Sequence, residues 1–205
     1  MPKQLPKIDV RIPFRPGGQL GAEYNHIMGE TNCEWVLFPD HDLFLCNPHW
    51  YLLCQKAIQQ HPSVGMFSCW TNRLGRTMQR DDTAPQSDTI VDHRCHSKAV
   101  FYEYRYKCSE IDKCSGMFLL ISKKAWQAVG GFPGAGIFKE DWDFSKRLCK
   151  KGLKIYRIDG LYIYHLRDRK QGSWIEGVQT TKEIRDIVMA DKDARKKGNT
   201  NEDSK

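Results

Sequence analysis

No stretch of this 205-residue chain approaches the roughly 20 consecutive apolar residues that a membrane-spanning helix needs. No apolar segment follows Met1-Pro2-Lys3-Gln4, so a secretory leader is not expected. The eight cysteines contain no CxxC pair and are too scattered for a small disulfide framework. That usage predicts reduced thiols and a cytoplasmic protein. Internal repeats are also lacking, which excludes a solenoid. What remains is an ordinary globular mixture, 40% hydrophobic and 28% charged, long enough for one domain with a substantial core.

The net charge of +7 is concentrated. Residues 1–145 carry 16 basic and 16 acidic side chains, and residues 171–205 carry 7 of each. The whole excess lies in 146–170, where nine Lys and Arg face only Asp159 and Asp168. Such a cluster attracts phosphate, nucleic acid or an anionic surface, or else it is a solvated helix face and loop.

The alternation from Ile8 to Phe14 predicts a strand entering a turn at Arg15-Pro16-Gly17-Gly18. Leu20–Met28 reads as a short helix. Trp35-Val36-Leu37-Phe38 reads as a strand buried on both faces, stopping at Pro39-Asp40-His41-Asp42. Asn47-Pro48 opens a helix that ends by Pro62, and Val64–Cys69 is a further strand. Residues 71–115 show no sustained period and are expected to be a long loop with one strand near Val100–Tyr106. Met117–Ile121 is an apolar strand, after which Ser122 caps a helix over Lys123–Val129. A helix over Asp141–Lys151 stops at Gly152. Leu153–Ile158 and Leu161–Leu166 follow as two strands. An exposed helix from Thr180 decays into a polar tail from Gly198. The domain reading is therefore a compact body, 1–179, followed by 180–205.

Asp40 and Asp42 stand just past the end of a buried strand, where open α/β sheets place ligand sites. Two carboxylates one residue apart can reach one hard cation, Mg²⁺ or Mn²⁺, and leave room for phosphate oxygens. An acidic turn without a metal has the same appearance. Glu140-Asp141-Trp142-Asp143 opens a helix, whose dipole favours ionised carboxylates, and an Asp there could accept a proton from a hydroxyl. His93, Cys95, His96, Cys108 and Cys114 lie close in sequence. Their spacing does not match paired zinc ligands, so buried thiols and surface histidines are expected instead of a zinc site.

Five segments in order carry a family resemblance. They are Gly21-Ala22-Glu23-Tyr24-Asn25, Trp35 through Asp42, Gly116 through Ile121, Trp126 through Phe132, and Glu140 through Leu148 followed by Gly152. Together, over roughly residues 8–170, the chain resembles the family 2 glycosyltransferases of the GT-A fold. The resemblance implies a single GT-A-like, Rossmann-like α/β domain with a mixed, mostly parallel central sheet flanked by helices. It further implies metal-dependent transfer from a nucleotide-sugar donor to a hydroxyl acceptor, with inversion. Asp42 would bind the metal directly, Asp40 would touch metal or donor ribose, and His165 would be the third ligand. Asp141 would be the base, with Glu140 beside it holding the acceptor together with Gly116 and Trp142. Pro13, Gly21 and Asn25 would lie against the donor.

The sequence departs from the family in one respect. Phe14 and Asp40 are only 26 positions apart, so the nucleotide-binding half is abbreviated. Arg11, Arg15 and Arg73 are candidates to replace missing phosphate contacts. Two competing readings are a nucleotidyltransferase and a nucleic-acid-binding or nucleic-acid-modifying protein using the basic cluster. The acceptor, whether glycan, lipid-linked sugar, protein or modified nucleic acid, is left open.

Overall fold

The computed structural model of the chain describes residues 4–14, 19–72, 78–133 and 140–166. These belong to a unit running from Met1 to Leu166. The expected C-terminal helix and tail lie outside the described residues.

Alternation within single strands explains the layering. Every residue of β2 (Trp35–Pro39) is buried, and successive side chains enter different cores. Trp35 and Leu37 join one apolar cluster with Phe67, Cys69, Phe118 and Leu120. Val36 and Phe38 join another with Met66, Leu119 and Ile121. A strand that is apolar at every position needs cover on both faces. One face is closed by α2 (Trp50–Gln60) through Leu53, Cys54, Ala57 and Ile58. The other is closed by α1 (Leu20–Glu30), α4 (Lys123–Ala128) and α5 (Glu140–Lys150) through Tyr24, Met28, Ala125, Phe144 and Leu148. No described helix is long and apolar enough to cross a membrane.

The remaining strands are β1 (Ile8–Val10), β3 (Leu43–Phe44), β4 (Met66–Thr71), β5 (Cys108–Ile111), β6 (Phe118–Ser122) and β7 (Ile155–His165). The sheet order is β1-β2-β6-β4-β7-β3, with β5 also on β7. The expected mixed α/β sheet between helices is present, but its pairings are not mostly parallel. Only β1–β2 and β4–β7 pair in parallel, while β2–β6, β4–β6, β3–β7 and β5–β7 are antiparallel. The reasons are β6, which slots in reverse between β2 and β4, and β3 and β5, which both run against β7.

The helix ends follow the sequence in part: α2 starts at Trp50 with His49 and not Asn47 at its N-cap, and Asn47 shapes the turn before it. Asn47 accepts from the His49 amide at 2.8 Å just ahead of α2, Ser122 accepts from the Ala125 amide at 3.0 Å, and Gly152 stops α5 with φ +73. Two further readings need correction. Residues 71–115 are not one long loop: they hold the 15-residue helix α3 (Ile90–Tyr104), which takes in most of the strand expected near Val100–Tyr106, and the four-residue β5. The inward face of α3 is His93, Ser97 and Val100, a helical spacing hidden from any hydrophobic count because two of the three are polar. The two C-terminal strands are one strand, β7, whose register against β4 jumps from Cys69↔Ile158 to Trp70↔Tyr162. The jump lets Gly160 pass under Arg105, where a Cβ would lie 1.8 Å from the carbonyl oxygen.

Candidate active site

The carboxyl ends of β1, β2, β4 and β7 share one edge of the sheet, as their parallel pairings and the reversed β6 require. The chain leaving β2 is pinned there by the Asp40 amide, which donates to Met117 O at 2.9 Å. His165 ends β7 beside it: Leu43 pairs with His165, and the Leu166 amide donates to Asp42 O at 3.0 Å. This brings three side chains from distant parts of the sequence together. His165 Nε2 lies 3.3 Å from Asp42 Oδ1 and 4.0 Å from Asp40 Oδ2. One ligand atom from each of the three falls within 4.8 Å of the others, the single such cluster among the described residues. A hydrogen bond with His165 holds the Asp42 carboxyl below its ordinary range, against the opposing effect of burial. Two carboxylates and one imidazole nitrogen suit Mn²⁺ or Mg²⁺ with sites left for phosphate oxygens.

Asp141 sits in the first turn of α5, with Glu140 and Asp143. Its Oδ1 accepts from the Trp142 amide at 2.8 Å, and a Cβ on Gly116 would stand 3.5 Å from its Oδ2. Burial raises the proton affinity of Asp141 above that of an ordinary carboxylate; the main chains of Trp142 and Gly116 oppose this and the charge of Asp40 adds to it. Tyr24 is a buried residue of α1. Burial drives its hydroxyl well above the usual value, and the charges of Asp40, Asp141 and Glu140 all push the same way. Sequence reasoning missed Tyr24, which reads as one more apolar position on α1.

The other expected residues divide into those at the site and those behind it. Glu140 is buried under the start of α1, where a Cβ on Gly21 would meet Glu140 Cγ at 3.2 Å and Pro133 O at 2.1 Å. Gly21 is thus a close-approach position. Asn25 turns away to clamp the glycine turn: Trp126 Nε1 and the Phe132 amide donate to its Oδ1 at 2.9 and 2.7 Å, and its Nδ2 donates to Phe132 O at 2.9 Å. Trp142 is 37% exposed, with Lys113 Nζ 4.8 Å from the ring centroid. Pro13 is half-buried beyond β1, and the exposed Arg11 is paired with Asp9 at 2.9 Å. Arg15 and Arg73 lie outside the described residues.

The His and Cys group does not converge. His93 is fully buried, bonded to Tyr162 OH at 2.7 Å, and is no surface histidine. His96 pairs with Asp81 at 2.7 Å, while Cys95 is exposed and Cys114 buried. All eight cysteines are free thiols. Within the basic cluster, Lys154 pairs with Glu110. Arg157 lies on the Trp70 ring, 3.3 Å from its centroid, and bonds to Asp159 and to Met78 O. Both are near the amino end of β7, while His165 closes its carboxyl end. Five paired steps on β4 and two further residues separate Ile155 from His165, roughly 23 Å at about 3.3 Å per residue.

Residues 95–169 match the family model described as the N-terminal domain of galactosyltransferase. The resemblance to glycosyltransferases is borne out. The matched segment of this glycosyltransferase-like chain includes Gly116, Glu140, Asp141, Trp142 and His165, and the model is a galactosyltransferase one where the motifs had suggested family 2. Among solved structures, the chain is similar to the crystal structure of the catalytic domain of Drosophila beta1,4galactosyltransferase 7 in complex with xylobiose. The likeness has 15% identity and a TM-score of 0.44 and covers 78% of this chain and 54% of that one. The chain therefore spans about half the length of that structure. No curated protein matches.

Proposed function

We propose that the chain transfers a sugar from a nucleoside-diphosphate donor to a hydroxyl acceptor, with inversion and with Mn²⁺ or Mg²⁺ bound by Asp40, Asp42 and His165. The observation that carries this reading is the convergence of that trio, with Asp141 brought beside it through Gly116, whose neighbour Met117 accepts from the Asp40 amide. A bound divalent cation supplies positive charge where the diphosphate leaves. Asp141 takes the proton of the acceptor hydroxyl, a task helped by its raised proton affinity. Gly116, lacking a side chain, leaves room over that carboxylate, and the exposed Trp142 ring offers the acceptor an apolar face. Glu140, buried behind Asp141, fixes the first turn of α5. Pro13 and Arg11 stand on the donor side, and Gly21 and Asn25 act from behind by holding α1 against the glycine turn. The matched family's description makes a nucleoside-diphosphate galactose the first donor to test.

Hydrolysis of a panel of nucleotide sugars should depend on Mn²⁺ or Mg²⁺. The same ion, added with a nucleoside diphosphate, should raise the melting temperature, and Asp42→Ala should abolish both effects. Full turnover in EDTA would remove the metal from the reading, and a product of retained anomeric configuration would remove the single displacement.

A further inference from the structure

The main chain of His165 is held by the side chain of Asn72, the residue that follows β4. β4 leaves the ladder after Thr71, which pairs with Ile163, so no β4 main-chain rung reaches His165. Asn72 supplies that rung with its amide. The His165 amide donates to Asn72 Oδ1 at 2.8 Å, and Asn72 Nδ2 donates to His165 O at 3.4 Å. A backbone N–H can only donate, which fixes the amide with its oxygen toward His165 N. The Thr71 hydroxyl also points at Oδ1, at 3.3 Å. On the opposite side His165 pairs with Leu43, and Leu166 is tied to Asp42 O. The main chain of His165 is thus held from one flank by the turn that carries Asp42 and from the other by Asn72.

We infer that Asn72 is the positioning residue for His165, fixing its Nε2 at a distance from Asp40 and Asp42 that a divalent cation can bridge. The inference rests on the metal reading of that trio. Removing the amide takes away both bonds that Asn72 makes to the His165 main chain, and outer partners of metal ligands commonly change affinity by about 10–100-fold.

The test uses Mn²⁺ alone, with electron spin echo spectroscopy to detect ¹⁴N coupling from a bound imidazole and titration calorimetry for affinity. The wild type should show the coupling and His165→Ala should lack it. Asn72→Ala should lose or sharply reduce it and bind Mn²⁺ about tenfold or more weakly. Asn72→Asp keeps the oxygen facing His165 N and should keep the coupling. Asn72→Ser, too short to reach His165, repeats the alanine test if that variant does not fold. Coupling retained in the alanine or serine variant, or lost in the aspartate variant as well, overturns the role of Asn72 while leaving the metal site standing. Absence of coupling in the wild type overturns both.

Discussion

Asp141 ionises against its surroundings, and that gives the sharpest test at the scale of one residue. Asp141→Asn keeps the shape and an oxygen to accept from the Trp142 amide but cannot take a proton. Transfer should fall by roughly 10²–10⁴-fold, the usual loss with a general base, while Mn²⁺ and donor binding persist. Stability should move the other way. A carboxyl whose folded pKa is raised carries a folding penalty that grows as pH rises past the unfolded value and is complete above the folded one. In metal-free protein near neutrality the Asn variant should therefore melt no lower than the wild type. A variant that loses transfer and also melts several degrees lower would mark Asp141 as structural. Asp40, Asp42 and Asp141 were legible as candidates because charged groups closing an apolar strand or opening a helix stand out in sequence, whereas His165 was reached only through the family resemblance. Tyr24 and Asn72 were not legible, since an aromatic on a core face and an Asn at a strand end are what packing and turns use everywhere.

At the scale of elements, α3 marks the limit of periodicity. Its buried face is His93, Ser97 and Val100, with His93 stacked on Tyr164 at 3.7 Å between ring centroids. Polar groups that find partners bury as firmly as Leu, yet leave no apolar stripe to read. The next turn of that helix is moored through His96 to Asp81, which also accepts from the Thr83 amide and hydroxyl at 2.9 and 2.6 Å. Burial raises the Asp81 pKa, but the bonds from Thr83 and His96 prevail and hold it below the ordinary carboxylate range. A depressed carboxyl stabilises fully above its unfolded pKa and stops doing so as pH falls through the folded one. Acid titration of the urea midpoint should therefore show a loss below about pH 4 that is smaller in Asp81→Asn. Identical acid limbs would show that the mooring contributes nothing. The strands, by contrast, were legible where both faces are covered, as in β2 and β6, because an unbroken apolar run has few other uses.

For the whole molecule, strand direction was the least legible property. A strand buried on both faces reads the same in either sense, so nothing in Phe118-Leu119-Leu120-Ile121 announces that β6 runs against its neighbours. The charge excess was legible as a number and not as a place. Lys146, Lys150 and Lys151 are exposed, whereas Arg157 serves Trp70 and Asp159. Reversing Lys150 and Lys151, which lie about 13 Å or more along from Asp141 at about 1.5 Å per helical residue, should leave donor hydrolysis and Mn²⁺ affinity within about twofold, since exposed charges more than a Debye length of about 8 Å away are largely screened. A marked loss of either at physiological salt would bring the cluster into the site. The position of β7 has a consequence for synthesis. It is the last described strand, yet it lies inside the sheet, bonded to β3, β4 and β5. A nascent chain that has emerged only as far as α5 holds Asp40, Asp42 and Asp141 but has an open seam where β7 belongs, with those earlier strands unable to complete their pairing. The sheet and the third candidate ligand then arrive in one event, because the same eleven residues close the seam and end in His165. Ribosome-stalled chains of increasing length should acquire protease resistance and Mn²⁺ binding at the same length, once His165 has cleared the exit tunnel.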